Sequence, residues 1–157
     1  MSCRMFIHGL ESSDQGTKAV FFREKYPDMI TPHFTGPLPQ RMEKLHSTLS
    51  EQREIILVGS SFGGLMASIY AMENEGRVRK LILLAPAIHL MEFTCYRKSR
   101  LALPVWIYHG RQDSVIAIEE VDKVATDVFA DLRFHAVDDD HYLHETFKKI
   151  PWDQLLS

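Results

Sequence analysis

Short apolar runs alternate along the chain with stretches in which apolar residues recur every three or four positions. This is the pattern of a parallel α/β fold, where each strand is followed by a crossover helix. The runs fall at residues 4–8 (Arg4-Met5-Phe6-Ile7-His8), 28–33, 55–58 (Ile55-Ile56-Leu57-Val58), 81–84, 105–108 and 132–137. The run at 55–58 contains no polar residue, which predicts a strand covered on both faces. A first helix is predicted over 17–26, with Val20 and Phe21 on its apolar face and Pro27 ending it. A second begins at about residue 40, where Met42, Leu45 and Leu49 form one stripe. Others are predicted over 61–74, stopped by Gly76, over 118–129, and over 142–149 as a closing helix. Residues 151–156 read as a short tail against the body. The expected architecture is a single α/β domain over 1–157, with a mostly parallel sheet of about six strands and helices on both faces.

The chain has 157 residues, which suits one domain with one core. A net charge of −3 gives no reason to expect nucleic acid as a partner. No run approaches the roughly 18 apolar residues of a membrane span. Cys3 and Cys95 have neither metal-ligand nor disulfide-framework spacing. Reduced thiols and the lack of a long apolar segment near the start make the cytoplasm the expected location.

The chemistry begins after the run at 55–58, at Gly59-Ser60-Ser61-Phe62-Gly63. This is G-x-S-x-G between a strand and a helix, the setting of a nucleophile elbow. The sharp turn exposes a serine hydroxyl, and the flanking glycines let neighbouring backbone approach. The pattern selects Ser61 and leaves Ser60 in a variable position. A glycine-rich anion-binding turn is the plain alternative, but no G-x-x-x-x-G-K-[ST] is present. A serine needs a base, and the base an orienting acid, in the chain order Ser, acid, His. Asp113 follows the run at 105–108 through His109-Gly110-Arg111-Gln112, and His141 follows the last run through Asp138-Asp139-Asp140. Asp138 is the rival acid and His144 the rival base. His8, His33 and His89 precede Asp113, and His135 lies inside a strand, so they fit the order badly. Read alone, Asp113 is also a common turn former. The oxyanion donors are expected to be the backbone N–H groups of Phe62 and Leu10. The loop His8-Gly9-Leu10-Glu11-Ser12-Ser13 reads equally as a glycine turn capped by a serine.

Taken in order, Ile7-His8-Gly9-Leu10-Glu11-Ser12-Ser13, Gly59 to Gly64, His109 to Asp113 and Asp140-His141 resemble the α/β-hydrolase superfamily, in particular its small, nearly lidless bacterial esterase-like branch. The resemblance implies hydrolysis of a small-molecule ester, thioester or amide without cofactor or metal. Two departures stand out. The chain as read leaves no room for the two strands that family members often carry before the first one, and only residues 87–103 are expected to be available as a cap. That segment reads either as a short flap with an apolar underside or as a helix on the sheet edge. Ile88, Met91 and Phe93, with Tyr142, are the candidate substrate-binding residues. So short a cover predicts a preference for small acyl groups.

The expected function is a serine hydrolase of carboxylic esters or thioesters, working through an acyl-enzyme on Ser61. A serine peptidase or amidase shares the same residues. A non-catalytic binding module on the same scaffold is the third reading, since fold does not fix function.

Overall fold

The computed structural model describes residues 2–157. Five strands form one sheet in the order β1-β2-β3-β4-β5, and every neighbouring pair is parallel. They are β1 (Cys3–Ile7), β2 (Ile55–Ser60), β3 (Val78–Leu84), β4 (Leu101–Gly110) and β5 (Phe129–Val137). The helices are α1 (Thr17–Lys25), α2 (Leu38–Thr48), α3 (Phe62–Glu73), α4 (Ile118–Val128) and the short α5 (Trp152–Leu155).

The alternation of side chains along each strand builds two cores, one on each face. Met5, Ile7, Ile55, Leu57, Leu81, Leu83, Val105 and Ile107 pack against α2, α3 and α4. Phe6, Ile56, Val58, Ile82, Leu84 and Tyr108 pack against Ala19, Phe22 and Tyr26 of the α1 side and Trp152 and Leu155 of α5. At β2 the two sets interleave, which is why its sequence is an unbroken apolar run. Helices reach both faces because the chain steps outward after α1, to Ile30 beside Met5, and then back past β1 to β2.

That outward step is where the sixth expected strand, 28–33, reduces to a single bridge between Met5 and Ile30. Ile30 N–H donates to Arg4 O at 2.9 Å, and Phe6 N–H donates to Ile30 O at 2.9 Å. Pro32 follows two residues later and has no N–H to continue the ladder. Elsewhere the strands run longer than their apolar cores suggested. β4 begins at Leu101 and tolerates Pro104 at a register irregularity. α4 passes into β5 without an intervening turn.

The closing helix over 142–149 does not form. The Asp139 carboxylate accepts from the amides of Glu145 and Thr146, and the Asp140 carboxylate from those of Tyr142 and His144. Leu143 takes a positive φ of 54°. These side-chain acceptors hold the amides in a turn and leave one 3-10 turn, Phe147–Lys149. Residues 87–100 likewise form no α-helix. They contain a 3-10 helix, Met91–Tyr96, pinned by the fully buried Phe93, while 101–103 belong to β4.

Candidate active site

Ser61 stands at the carboxyl end of β2, as the residue before α3, with φ 55° and ψ −115°. A non-glycine residue here is strained and must be held by its surroundings. Ser61 N–H donates to Leu84 O at 2.9 Å, and Ser61 O accepts from Gly64 and Ala87 N–H, each at 2.9 Å. Two glycines make the turn possible. A Cβ on Gly63 would lie 2.1 Å from Ile7 O, and one on Gly59 would lie 2.4 Å from Gly63 O. Both distances are far inside van der Waals contact, so G-x-S-x-G is a packing requirement here.

The structure brings Ser61, His141 and Asp113 together from three loops at the carboxyl ends of β2, β5 and β4. The Ser61 hydroxyl donates to His141 Nε2 at 3.1 Å, and His141 Nδ1–H donates to Asp113 Oδ2 at 2.8 Å. Asp113 Oδ1 accepts from the amides of Val115 at 2.9 Å and Ile116 at 2.7 Å. The Asp113 side chain is fully buried and that of His141 nearly so. The rivals lie elsewhere. His144 Nδ1 pairs with Asp140 at 2.6 Å on an exposed turn, and Asp138 pairs with Arg111 at 3.0 Å.

The Phe62 amide opens α3 and has no acceptor within its helix. Gly9 adjoins Ser61, since a Cβ on it would lie 3.5 Å from Ser61 Cβ. Gly9 O is held by His8 Nδ1–H at 2.7 Å and by Ser12 N–H at 3.2 Å. A planar trans peptide points its N–H opposite its C=O. The Leu10 amide therefore faces away from His8, and among the described residues it has no backbone partner. His8 Nε2 in turn accepts from Phe34 N–H at 2.9 Å. Both ring nitrogens are thus committed in the neutral form, and burial pushes the His8 pKa down.

A cavity of about 670 Å³ opens over Ser61. Leu10, Val115, Ile116, Tyr142 and Phe147 supply apolar wall, and Lys18 and Lys148 lie on the α1 side. Of the expected pocket residues only Tyr142 lines it, at 57% exposure. Ile88 and Phe93 are buried in the core, and Met91 points into solvent at 85% exposure. From that segment Ala87, His89 and Leu90 reach the cavity instead. Most of the wall comes from residues 8–19 and 141–148, so the 87–103 segment does not by itself set the size of the cavity.

A family model described as the alpha/beta hydrolase fold matches residues 35–94. No curated protein matches. Among solved structures, Est1E from Butyrivibrio proteoclasticus with ferulic acid bound superposes with a TM-score of 0.78 at 14% identity, over 99% of this chain and 86% of that one. An alpha-beta serine hydrolase homologue from Coxiella burnetii gives 0.78 at 18% identity, over 99% and 83%. Alpha/beta hydrolase domain-containing protein 10 from mouse gives 0.76 at 21% identity, over 90% and 82%. The chain has the α/β-hydrolase fold.

Within this α/β-hydrolase fold, two histidines matter in ways that chain order did not reveal. His8 anchors the loop that carries Leu10. His109, fully buried on β4, places Nε2 3.1 Å from Asp113 Oδ2 and donates it to Ile116 O at 2.9 Å. It thereby ties the far end of the Asp113 loop to the sheet. Burial lowers the His109 pKa too, ahead of the opposing effects of Ile116 O and Asp113. The sequence signal for both was a histidine directly before glycine at a strand end, His8-Gly9 and His109-Gly110. Among the described residues no group of His, Cys, Asp or Glu has metal-site geometry, and no helix is long and apolar enough to cross a membrane.

Proposed function

We propose that the chain is a serine hydrolase of carboxylic esters or thioesters. The observation that carries this reading is the unbroken series from Ser61 Oγ through His141 to Asp113, at 3.1 Å and 2.8 Å, opening on an apolar-walled cavity. Ser61 Oγ attacks the acyl carbonyl carbon while His141 Nε2 takes its proton. Asp113, fixed by two amides and braced by His109, keeps Nδ1 protonated and favours the imidazolium. The amides of Phe62 and Leu10 receive the oxyanion. His141 then protonates the departing alcohol or thiol, leaving Ser61 acylated. A water molecule, deprotonated by His141, attacks the acyl carbon. The acid is released as Ser61 regains its proton.

The cavity volume lies in the range used for small-molecule ligands. Ferulic acid, bound to Est1E, is an aromatic carboxylic acid. Leu10, Val115, Tyr142 and Phe147 would offer such an acyl group apolar contact. The test is labelling by a fluorophosphonate together with turnover of matched ester, thioester and anilide substrates across acyl lengths. Labelling and ester or thioester turnover are expected in the native chain and absent in Ser61→Ala, while Ser60→Ala retains most of both. An active Ser61→Ala would end this reading. Preferred cleavage of the anilide would move the activity to amides, and a folded chain that never labels would be a binding module.

A further inference from the structure

Arg41, on α2, is an anomaly behind the site. Only 5% of its surface is exposed, yet among the described residues no carboxylate pairs with it. Nε–H donates to Gly36 O at 2.7 Å, and Nη1 is buried without any acceptor. An uncompensated buried cation is costly, and an arginine kept only for its bulk would be replaced at no loss by an apolar side chain. Its position suggests what it is for. The guanidinium carbon lies 5.5 Å over the ring of Phe62, the residue whose amide borders the nucleophile. The same charge acts on His8, which holds the Gly9–Leu10 peptide from the other side.

We propose that Arg41 is a positioning residue for the oxyanion hole. Its unpaired charge holds the Phe62 ring, and with it the first turn of α3, and leaves a net positive field behind the two amides. Asp113, the buried carboxylate of the resting site, is taken up by His141, His109 and the amides of Val115 and Ile116, so the resting site offers Arg41 no free buried counter-charge. The tetrahedral intermediate does, as negative charge gathers on the former carbonyl oxygen. An interaction of this kind is stronger in the transition state than in the ground state and therefore raises kcat more than it lowers KM. This inference rests on the serine-hydrolase reading of the site.

The test compares the native chain with Arg41→Met and Arg41→Lys, using p-nitrophenyl acetate turnover, thermal melting and fluorophosphonate labelling. Arg41→Met should lower kcat by about tenfold, less than the loss of a direct oxyanion donor, with KM changed by less than about twofold. Its melting temperature should stay level or rise, because the buried charge is gone. Arg41→Lys keeps the charge and should recover most of the rate. A kcat for Arg41→Met equal to native would overturn the inference. So would a fall in melting temperature alongside the rate, or a lysine variant no better than methionine, since either makes the role structural. If the native chain itself neither labels nor turns over ester, the reading of the site falls and the role of Arg41 with it. If the native chain does both, only the role of Arg41 is at stake.

Discussion

At the scale of single residues, two neighbouring histidines have different surroundings. His141 reaches both Ser61 and Asp113, whereas His144 is exposed and tied to Asp140. His141→Ala should lower kcat by on the order of a thousandfold or more, as loss of a triad member does. Asp113→Asn should act in the same direction, because it disturbs the tautomer that the base requires. His144→Ala removes one group from the cavity rim and should cost only a few-fold. Steady-state rates on one ester, with circular dichroism to verify folding, decide the matter. A His144→Ala variant as inactive as Ser61→Ala would reverse the assignment. That Ser61, Asp113 and His141 would meet was legible in the sequence because each follows a strand, and the parallel sheet delivers all such loops to one end. The pocket was not legible. Whether Ile88 or its neighbour His89 faces the cavity depends on a half-turn of backbone that apolar character alone does not fix. Phe93, one of the candidate wall residues, is instead what pins its segment to the core.

At the scale of elements, α3 is held against β1 so closely that a single methyl group decides the packing. Gly63→Ala would drive its Cβ into Ile7 O, so a loss of about 2–3 kcal/mol is expected in urea unfolding. Gly76→Ala is the control. A Cβ there meets nothing within 4 Å, and the change should be neutral or stabilising by about 0.5 kcal/mol through the unfolded chain. Equal losses at both positions would show that the close approach at Gly63 is not what sets the cost. The elements that sequence periodicity missed share a physical cause. At 142–149 the pattern was helical, but Asp139 and Asp140 lie just upstream and capture the amides first. At 28–33 the apolar residues suited a strand, but Pro32 removed the donor that a ladder needs. Hydrophobic spacing reports which face is buried, and it says little about where the backbone donors go.

At the scale of the whole molecule, the two buried histidines tie stability to pH. His8 and His109 have pKa values lowered mainly by burial. In the unfolded chain each titrates near 6.5. As pH falls below about 6.5, the unfolded chain binds protons that the folded chain refuses, so unfolding becomes easier. The loss grows until the lowered folded pKa values are reached, and its slope is at most about 1.4 kcal/mol per pH unit for each histidine. Above about 6.5 both states are neutral and neither group contributes. Urea midpoints should therefore fall between pH 7.5 and pH 5.5, and His109→Gln should show a shallower fall than the native chain. An unchanged slope would remove His109 from the account.

The order of the strands has a kinetic side. The β1–β2 register sets Cys3 beside Ile55, which closes a loop of about fifty residues, and each of the other pairings closes one of about twenty-three to twenty-eight. All the pairings are parallel and none is a tight hairpin. Local contacts thus give the collapsing chain little early guidance, and chains of this kind fold slowly for their size. During that interval Ile55-Ile56-Leu57-Val58 and Leu81-Ile82-Leu83-Leu84, destined for the centre of the sheet, stand open without a charge between them. The segments that become the most protected in the finished molecule are, on the way there, the ones most ready to pair with a second copy, and recovery from denaturant becomes a race that dilution favours.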